Sequence, residues 1–229
     1  MPLIKRLAII GVGLIGGSLA RILRKEGEVG EIVGIGRGET NLRRGVELGV
    51  IDRYTTDLSE GVHDADMVFL ATPVCSIAAI VERIAPFLAP GCVVTDGGSV
   101  KEEIVDRCDS MMPGGTYFVG GHPIAGTEYS GVDASFASLY QGRRCILTPA
   151  EATDREALRK VVRMWETAGC EVILMDPLKH DRVVAAISHL PHMVAYSLVN
   201  AVEGYGRFEE NILKYSAGGF KDFTRIASS

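Results

Sequence analysis

The side chain best suited to chemistry in this chain is a histidine in a glycine-rich stretch. Residues 118–131 read FVGGHPIAGTEYSG, and His122 follows an apolar run within them. The stretch has neither helical spacing nor strand alternation, so packing alone does not account for it. Because imidazole titrates near neutral pH, it can move a proton or hold a hydroxyl group. We expect His122 to lie on a loop, either as a catalyst or as a cap on a nearby carbonyl.

Two further groups of polar residues occur in the last quarter of the chain. His189 and His192 are three residues apart and would share a helix face, as buried polar caps beside a kink at Pro191 or as metal ligands. No set of acidic or cysteine partners accompanies them, so no metal site is expected. Arg225 stands among apolar residues, where a guanidinium needs an anion. A substrate carboxylate or a structural Asp or Glu would satisfy it.

A dinucleotide-binding loop is indicated near the start of the chain. The sequence GVGLIG at positions 11–16 follows an apolar run and opens a helical pattern near Ile15. In such a loop the first glycine permits a tight turn, the second lets the backbone approach a pyrophosphate, and the third lets helix pack on strand. The helix N-terminus attracts the anion. The residues assigned to the cofactor here are Gly11, Gly13, Leu14, Ile15 and Gly16.

The residues after the second apolar run bear on which dinucleotide binds. An NAD site usually has Asp or Glu at this point, whereas this run is followed by Arg37. Arg37, assisted by Thr40 and by Arg43 or Arg44, could receive a 2′-phosphate. Arg37 could instead stack on adenine or lie in solvent, and Glu39 keeps NAD open. The pattern favours NADP.

Two other segments follow strand-like runs and would meet at the carboxyl edge of a parallel sheet. The first contains Thr72 and Pro73, and the second runs from Asp96 through Ser99 to Lys101. Ligands bind at that edge in open α/β folds, so Thr72 and Pro73 are expected to line the cofactor site. Ser99 could cap a helix over residues 100–108, and it could also donate a hydrogen bond to a substrate.

The elements that must position these residues alternate along the chain. Seven short apolar runs predict strands, several of them apolar on consecutive positions, as in strands covered on both faces. They are Leu7–Ile10, Glu31–Ile35, Met67–Ala71, Val93–Asp96, Tyr117–Gly120, Cys145–Thr148 and Glu171–Leu174. Between them, segments such as Ser76–Leu88 and Asp154–Ala168 have helical spacing. The alternation predicts an α/β fold, a Rossmann-type doubly wound and mostly parallel sheet.

The pattern changes after Asp176 and Pro177, which together make a good helix start. From there the spacing is helical, without a strand signal. We therefore predict a dinucleotide-binding domain over residues 1–175 and an all-α segment over residues 176–229, which is short for an independent domain.

Composition narrows the class of protein. The 229 residues carry a net charge of −5, which argues against nucleic acid or an anionic membrane as the main partner. No run of apolar residues approaches the roughly 20 that a membrane span requires. The five cysteines are scattered without a Cys-x-x-Cys pair, so neither disulfides nor zinc are expected. A reducing cytoplasm fits this pattern.

Taken together, the motifs resemble the prephenate/arogenate (cyclohexadienyl) dehydrogenase family of tyrosine biosynthesis. The resemblance covers the whole chain in order, through GVGLIGGS at 11–18, DGGSVK at 96–101, GHPIAGTE at 121–128, SHLPH at 188–192 and FTRIA at 223–227. The first of these is common to many dehydrogenases. The GHPIAGTE and SHLPH segments are much more specific.

The resemblance implies an oxidoreductase that removes hydride from ring C4 of a cyclohexadienol while the ring carboxylate leaves as CO₂. Prephenate would give 4-hydroxyphenylpyruvate, and arogenate would give tyrosine. The hydride acceptor would be NADP or NAD. The resemblance also implies a cytoplasmic homodimer, provided that the C-terminal helices are present.

Roles for individual residues come from the same resemblance. His122 matches the histidine that binds the C4 hydroxyl and helps to remove its proton, and Ser99 matches a serine that shares this hydroxyl. Arg225 matches an arginine that binds a substrate carboxylate. Glu128 matches a gating acid that can pair with that arginine. The other residues expected at the substrate pocket are Thr127, His189 and His192.

Two departures from the family leave alternatives open. Family members continue in further helices beyond the FTRIA motif, whereas this sequence stops at Ser229, so we expect the helical segment to be incomplete. The arginine after the second strand departs from an NAD-type acid. A related β-hydroxyacid or imine-type dehydrogenase would share the loop and a helical tail, but no lysine of the tail stands in a matching motif. A non-catalytic nucleotide-binding module is the third alternative.

Overall fold

The structure is a computed structural model that describes residues 1–205 and 218–227. The chain divides into two compact units, Met1–His180 and Asp181–Ser229. The division falls a few residues after the predicted domain boundary at residues 175 and 176, which stays a prediction.

The first unit is an α/β sandwich of eight strands and their connecting helices. The strands are β1 (Ile4–Ile10), β2 (Val29–Ile35), β3 (Arg53–Thr55), β4 (Met67–Leu70), β5 (Val93–Asp96), β6 (Tyr117–Pro123), β7 (Arg144–Thr148) and β8 (Glu171–Leu174). The helices are α1 (Leu14–Lys25), α2 (Glu39–Glu47), α3 (Leu58–Val62), α4 (Val74–Ile84), α5 (Glu102–Ser110) and α6 (Arg155–Thr167), with a 3₁₀ turn at Ala85–Phe87.

The eight strands form one sheet in the order β3-β2-β1-β4-β5-β6-β7-β8. All neighbouring pairs are parallel except β6 and β7. The first six positions have the strand order of a dinucleotide-binding fold, whose order reverses between β1 and β4. The predicted doubly wound, mostly parallel sheet is confirmed. The sequence reading missed β3, because three residues are too few to show a period.

Apolar side chains cover both faces of this sheet. One core cluster includes Leu7, Ile9 and Phe69 with Trp165 of α6, and the other includes Ala8, Ile10 and Val68 from the opposite faces of the same strands. Strands buried on both faces lack a polar alternation, which is why their sequences read as continuous apolar runs.

The stretch around His122 is a strand and not the expected loop. β6 extends through Pro123, and His122 pairs with Ile146 of β7. The glycines before it permit close packing rather than a turn. A Cβ on Gly120 would lie 2.6 Å from both Thr148 Oγ1 and Val105 Cγ2, and one on Gly121 would lie 2.8 Å from the Asp96 carbonyl oxygen.

Ser99 does not cap the helix that follows it. α5 begins at Glu102, with Lys101 rather than Ser99 at the N-cap position, and the Lys101 side chain does not cap the helix. A lysine side chain has no acceptor for the first N–H groups of a helix, and the Lys101 ammonium group instead pairs with Asp96 in the interior. The expectation of a cap at Ser99 is therefore wrong.

The second unit begins within a continuous helical stretch. α7 (Pro177–Val184) is followed by a π-helical turn (Ala185–His189) and by α8 (Leu190–Tyr205). Proline has no N–H, and its ring crowds the carbonyl four residues earlier, so a widened turn before Pro191 accommodates it. α9 (Gly218–Thr224) and a 3₁₀ turn (Arg225–Ala227) pack against α8.

The helix Pro177–Gly204 is long and apolar enough, by length and composition, to cross a membrane. The helix contains no uninterrupted apolar run of this length and qualifies only on the mean hydropathy of an 18-residue window. Only 11% of that window is buried. A single such helix is weak evidence for a membrane span, since a helix in the interior of a soluble assembly has the same composition.

Candidate active site

The glycine loop between β1 and α1 has the geometry expected for a pyrophosphate cradle. Gly11 has φ +99° and, with Gly16, packs where a side chain cannot fit: an added Cβ would lie 2.4 Å from the Ala71 carbonyl oxygen at Gly11 and 2.3 Å from the Gly11 carbonyl oxygen at Gly16. By contrast, nothing lies within 4 Å of a Cβ built on Gly13. The backbone at Gly13 is thus open to a ligand, at the position where close approach is needed.

The N-terminus of α1 is suited to an anion. Gly13 is its N-cap, no side chain caps the helix there, and the first turn has no acidic residue. The first N–H groups of a helix carry a partial positive charge and lack partners within the helix. A phosphate at this point would supply both the charge and the acceptors.

A cavity of about 570 Å³ lies beside the loop, at the carboxyl ends of β1, β2 and β4. Its walls include Gly11, Arg37, Thr72 and Pro73, four of the residues assigned to the cofactor from the sequence. The hydroxyl oxygen of Thr72 is buried and has no hydrogen-bond partner in the described part of the chain. A buried unpaired hydroxyl in a cavity wall marks a point where a ligand can donate or accept. These features fit a dinucleotide.

Arg37 and Arg83 both line this cavity, and both side chains are exposed. No ion pair of either guanidinium is found among residues 1–205 and 218–227. The other arginines considered from the sequence are occupied, since Arg43 pairs with Glu39 at 3.4 Å and Arg44 with Asp133 at 2.9 Å. Thr40, the remaining expected contact, is an exposed residue of α2.

A buried ion pair fixes the backbone next to His122. Asp96 and Lys101 are both 0% exposed, and the Lys101 ammonium donates to a carboxylate oxygen of Asp96 and, at 2.9 Å, to the Gly121 carbonyl. The Asp96 carboxylate also accepts from the N–H groups of Gly121 and Gly98, at 3.0 and 2.8 Å. The pair therefore holds both polar groups of the residue before His122, together with the turn that leads to Ser99.

His122 is paired with a second histidine. Its Nδ1 lies 2.9 Å from Nε2 of His180, which is fully buried in α7. One of the two nitrogens must carry the hydrogen. If His122 donates, its Nε2 keeps a lone pair and can accept a proton from a substrate. If His180 donates, a neutral His122 carries its own proton on Nε2 and can only donate.

The remaining predicted residues of the first unit stand near the ends of β5 and β6. Ser99 is half-buried in the turn before α5. Thr127 and Glu128 are exposed on the segment that leaves β6, and the Thr127 hydroxyl accepts from the N–H of Tyr129 at 3.2 Å. Neither contacts His122 directly through a hydrogen bond in the described structure.

The other three predicted substrate residues belong to the second unit. His189 ends the π-helical turn, and His192 is exposed on α8 with its ring Nδ1 2.8 Å from the Ser188 carbonyl oxygen, to which it donates. His192 therefore caps a backbone carbonyl, as one of the two alternatives predicts, but its side chain is exposed and not buried. Arg225 begins the last 3₁₀ turn, and its side chain is exposed. No group of metal-binding side chains was found among the described residues.

Sequence reasoning assigned no role to His180, Arg83 or the Asp96–Lys101 pair. His180 is 58 residues from His122, and no local spacing connects them. Arg83 is one of several arginines with helical spacing, and only the fold brings it to the cavity that Arg37 also lines. The Asp96–Lys101 pair had no clear local signal, because Lys101 is followed by Glu102 and Glu103 in a polar stretch typical of an exposed lysine.

Comparison with known proteins identifies relatives along the whole chain. The family model for the nucleotide-binding domain of prephenate dehydrogenase matches residues 19–174, and the model for its dimerization domain matches residues 176–229. The cyclohexadienyl dehydrogenase of Zymomonas mobilis is 37% identical over all of this chain and 78% of its own length. The prephenate dehydrogenase of Bacillus subtilis is 37% identical over 96% of this chain, which spans 60% of that relative.

Solved structures give the same result. Prephenate dehydrogenase of Aquifex aeolicus, in complex with hydroxyphenyl propionate and NAD⁺, is 42% identical and superposes with a TM-score of 0.92 over 98% of this chain and 78% of its own. The arogenate dehydrogenase of Synechocystis is 35% identical, with a TM-score of 0.83 over 98% of this chain and 80% of its own.

Proposed function

The chain belongs to the prephenate dehydrogenase family, and we propose that it catalyses the oxidative decarboxylation of prephenate, arogenate or both, with hydride transfer to NADP or NAD. The observation that supports this most directly is the His122–His180 pair in a unit that also contains the dinucleotide cradle. The relatives at 37% and 42% identity carry the same activity in their names.

His122 would act on the C4 hydroxyl of the substrate. When bound, the nicotinamide accepts the hydride that leaves ring C4, and the ring carboxylate departs as CO₂. As the hydride leaves, the C4 hydroxyl gains carbonyl character and gives up its proton. Once the electron pair released by decarboxylation has made the ring aromatic, the oxygen takes a proton back, so the product is a phenol. A His122 that donates through Nδ1 to His180 presents a basic Nε2 for that proton. His180 is in this scheme a positioning residue, because it selects the tautomer of His122.

The other assigned residues would orient the substrate. Ser99 shares the C4 hydroxyl from the turn after β5, and the rigid anchoring of Gly121 and Gly98 by Asp96 keeps the two hydroxyl-binding residues in register. By the resemblance to the family, Arg225 would bind a substrate carboxylate and Glu128 would be a gating acid, while Thr127, His189 and His192 are the other residues assigned to the substrate. Aromatisation of the ring supplies the driving force, so positioning is the main task of the protein.

The activity is tested with purified chain, the two substrates and the two cofactors in all four combinations. Formation of the reduced cofactor is followed by absorbance. We expect turnover with at least one combination. Cofactor binding without any turnover would favour a non-catalytic nucleotide-binding module.

His122→Asn tests the role of the imidazole. Asparagine can still hold the hydroxyl but cannot take its proton, so we expect kcat to fall by about 100-fold or more while KM changes little. His63→Asn is the matched control, since His63 is an exposed histidine at the end of α3. A kcat near that of the wild type in His122→Asn would contradict the mechanism.

We propose NADP as the preferred cofactor, with Arg37 and Arg83 receiving the 2′-phosphate. Both line the cavity beside the glycine loop, and neither has an ion-pair partner among the described residues. NAD⁺ is bound in the Aquifex aeolicus structure. If the proposal holds, Arg37→Ala and Arg83→Ala raise KM for NADP by about 10-fold or more and leave KM for NAD almost unchanged. Arg155→Ala, an exposed arginine of α6, is the control. Equal effects on both cofactors would refute the assignment.

We further propose a homodimer formed through the second unit. Large apolar side chains are exposed on its helices, including Ile187 at 72% and Met193 at 63%. The matching family model is that of a dimerization domain. Sedimentation velocity should show a dimer that Met193→Glu weakens, whereas Phe87→Glu, on an exposed apolar residue of the first unit, should not. A monomeric wild type would contradict this.

The free thiols of all five cysteines support a cytoplasmic location.

A further inference from the structure

The segment between β6 and β7 links residues proposed to face the substrate with the helix proposed to bind the cofactor. It carries Thr127 and Glu128 on exposed backbone directly after His122 and Pro123. It then becomes buried, with Val132 and Tyr140 both 0% exposed. We call residues 124–143 the connecting segment. Its first part is placed to meet a substrate, and its second part is fixed to the body of the unit.

The fixed part is bonded to α1, the helix that would receive the pyrophosphate. The Tyr140 hydroxyl donates to the carbonyl of Ile15 at 2.7 Å, and the Phe136 N–H donates to the Ser18 hydroxyl at 3.0 Å. The contact with α1 is close, because a Cβ added to Gly17 would lie 2.9 Å from the Cβ of Ser135. The connecting segment therefore rests on the first turns of the cofactor-binding helix.

One side chain links the connecting segment to the glycine loop itself. The amide of Asn41, on α2, donates through Nδ2 to the Val12 carbonyl at 2.7 Å and accepts through Oδ1 from the Val132 N–H at 3.0 Å. Val12 lies between Gly11 and Gly13. Both backbone partners have fixed roles, one acceptor and one donor, so the orientation of the amide is determined.

We propose that Asn41 is a positioning residue that couples dinucleotide binding at the glycine loop to the order of the substrate-facing part of the connecting segment. The inference rests on the proposed function, because it requires the glycine loop to bind a dinucleotide. A cofactor that fixes the backbone at Gly13 also fixes the Val12 carbonyl. Through Asn41, that restraint reaches Val132 and thus the residues between it and His122.

The side chain of Asn41 is chemically suited to link the glycine loop to the connecting segment, whereas the charged pair next to it is not. An amide offers a donor and an acceptor in one rigid plane. The nearby Arg44–Asp133 ion pair also joins α2 to the connecting segment, at 2.9 Å, but its side chains are 45% and 66% exposed and do not reach the glycine loop. Exposed ion pairs contribute little, so this pair provides a control for the location of the link.

The test is backbone amide hydrogen exchange of the connecting segment, with and without saturating NADP⁺ or NAD⁺. In the wild type we expect cofactor to slow exchange of residues 126–132 by about 5-fold or more, the lower range of allosteric couplings. Asn41→Asp keeps the acceptor for Val132 but cannot donate to Val12, and Asn41→Leu can do neither. Both variants, at saturating cofactor, should show no slowing. Asp133→Ala should behave as the wild type.

The outcomes separate this inference from the proposed function. Slowing in Asn41→Leu and Asn41→Asp equal to that in the wild type would overturn the inference, as would a wild type without any slowing. Exchange of the β1 and β4 amides without cofactor shows whether each variant is folded, and a purely structural role of Asn41 would change those amides as well. Wild-type slowing without turnover would refute the dehydrogenase proposal alone. A wild type that binds neither dinucleotide would refute both.

Discussion

At the scale of single residues, the buried charges of Lys101 and Asp96 are those whose removal should destabilise the fold most. Both are fully buried, so removing one leaves the other as an uncompensated charge in the interior. We expect Lys101→Met to lower the free energy of unfolding by about 3–5 kcal/mol. Asp96→Asn combined with Lys101→Met should cost less than the sum of the single changes, because neither charge remains.

Urea unfolding of the single and double variants measures these differences. Lys160→Met is the control, because Lys160 also pairs with an aspartate, Asp66, at 3.0 Å but is 21% exposed, and its loss should cost about 1 kcal/mol or less. Equal losses in Lys101→Met and Lys160→Met would mean that the buried pair contributes no more than a surface pair.

The residue-scale chemistry could be predicted only in part. The spacing of Gly11, Gly13 and Gly16 predicts a dinucleotide-binding loop. The structure has the corresponding close contacts at Gly11 and Gly16 and the open backbone at Gly13. His122 was recognised as unusual, but its partner His180 was not. Sequence separation explains the difference, since a loop motif is local and a pairing between β6 and α7 exists only in the fold.

At the scale of elements, α6 offers a clean test of a helix start. Asp154 is its N-cap and accepts from the N–H groups of Glu156 and Ala157, both at 2.9 Å. We expect Asp154→Ala to lower the free energy of unfolding by about 1 kcal/mol, since two backbone donors lose their acceptor. The midpoint of urea unfolding reports this change.

A matched change inside a helix shows that the effect belongs to the cap. Asp106 is exposed within α5, so Asp106→Ala removes the same carboxylate from a position without a capping role. Alanine is the better helix former there, and stability should stay constant or rise slightly. An equal loss in both variants would argue for a general effect of charge rather than for capping.

Elements with a periodic apolar pattern could be predicted from the sequence, whereas elements whose extent depends on contacts with other elements could not. The helix expected over Asp154–Ala168 is observed at Arg155–Thr167, because a cap and an apolar stripe mark it. The sequence predicts a strand that ends at Gly120 and a loop at His122, because glycines are typical of turns, whereas β6 extends to Pro123. Their actual cause is the close approach of β7, α5 and Asp96, which no local pattern contains.

At the scale of the whole molecule, the change from alternating strands and helices to helices alone predicted two parts of different character. The chain does divide into two units, and all five cysteines lie in the first of them, Met1–His180. Because the chain divides into two compact units, unfolding need not be a single transition. A probe that belongs to one unit is therefore needed to follow it.

The thiols provide such a probe and also test the cofactor site. Burial raises the pKa of Cys92 and Cys108 to about 12 and that of Cys170 to about 11, and it raises the pKa of Cys145 as well. A thiol that stays protonated and covered does not react. Cys75 is exposed in the wall of the proposed cofactor cavity. At pH 8 we expect a thiol reagent to modify Cys75 rapidly and the other four only after the first unit unfolds.

Saturating NADP⁺ or NAD⁺ should slow the modification of Cys75, because the dinucleotide would occupy the cavity that Cys75 lines. Peptide mass spectrometry identifies the modified residue, and the rate is compared with and without cofactor. Rapid modification of a second cysteine in the folded protein would contradict the burial of the four. Bound cofactor that left the rate at Cys75 unchanged would contradict the assignment of this cavity to the dinucleotide. Above pH 9 the unfolded chain ionises its thiols while the folded unit does not, so stability should fall as pH rises from 9 towards 12.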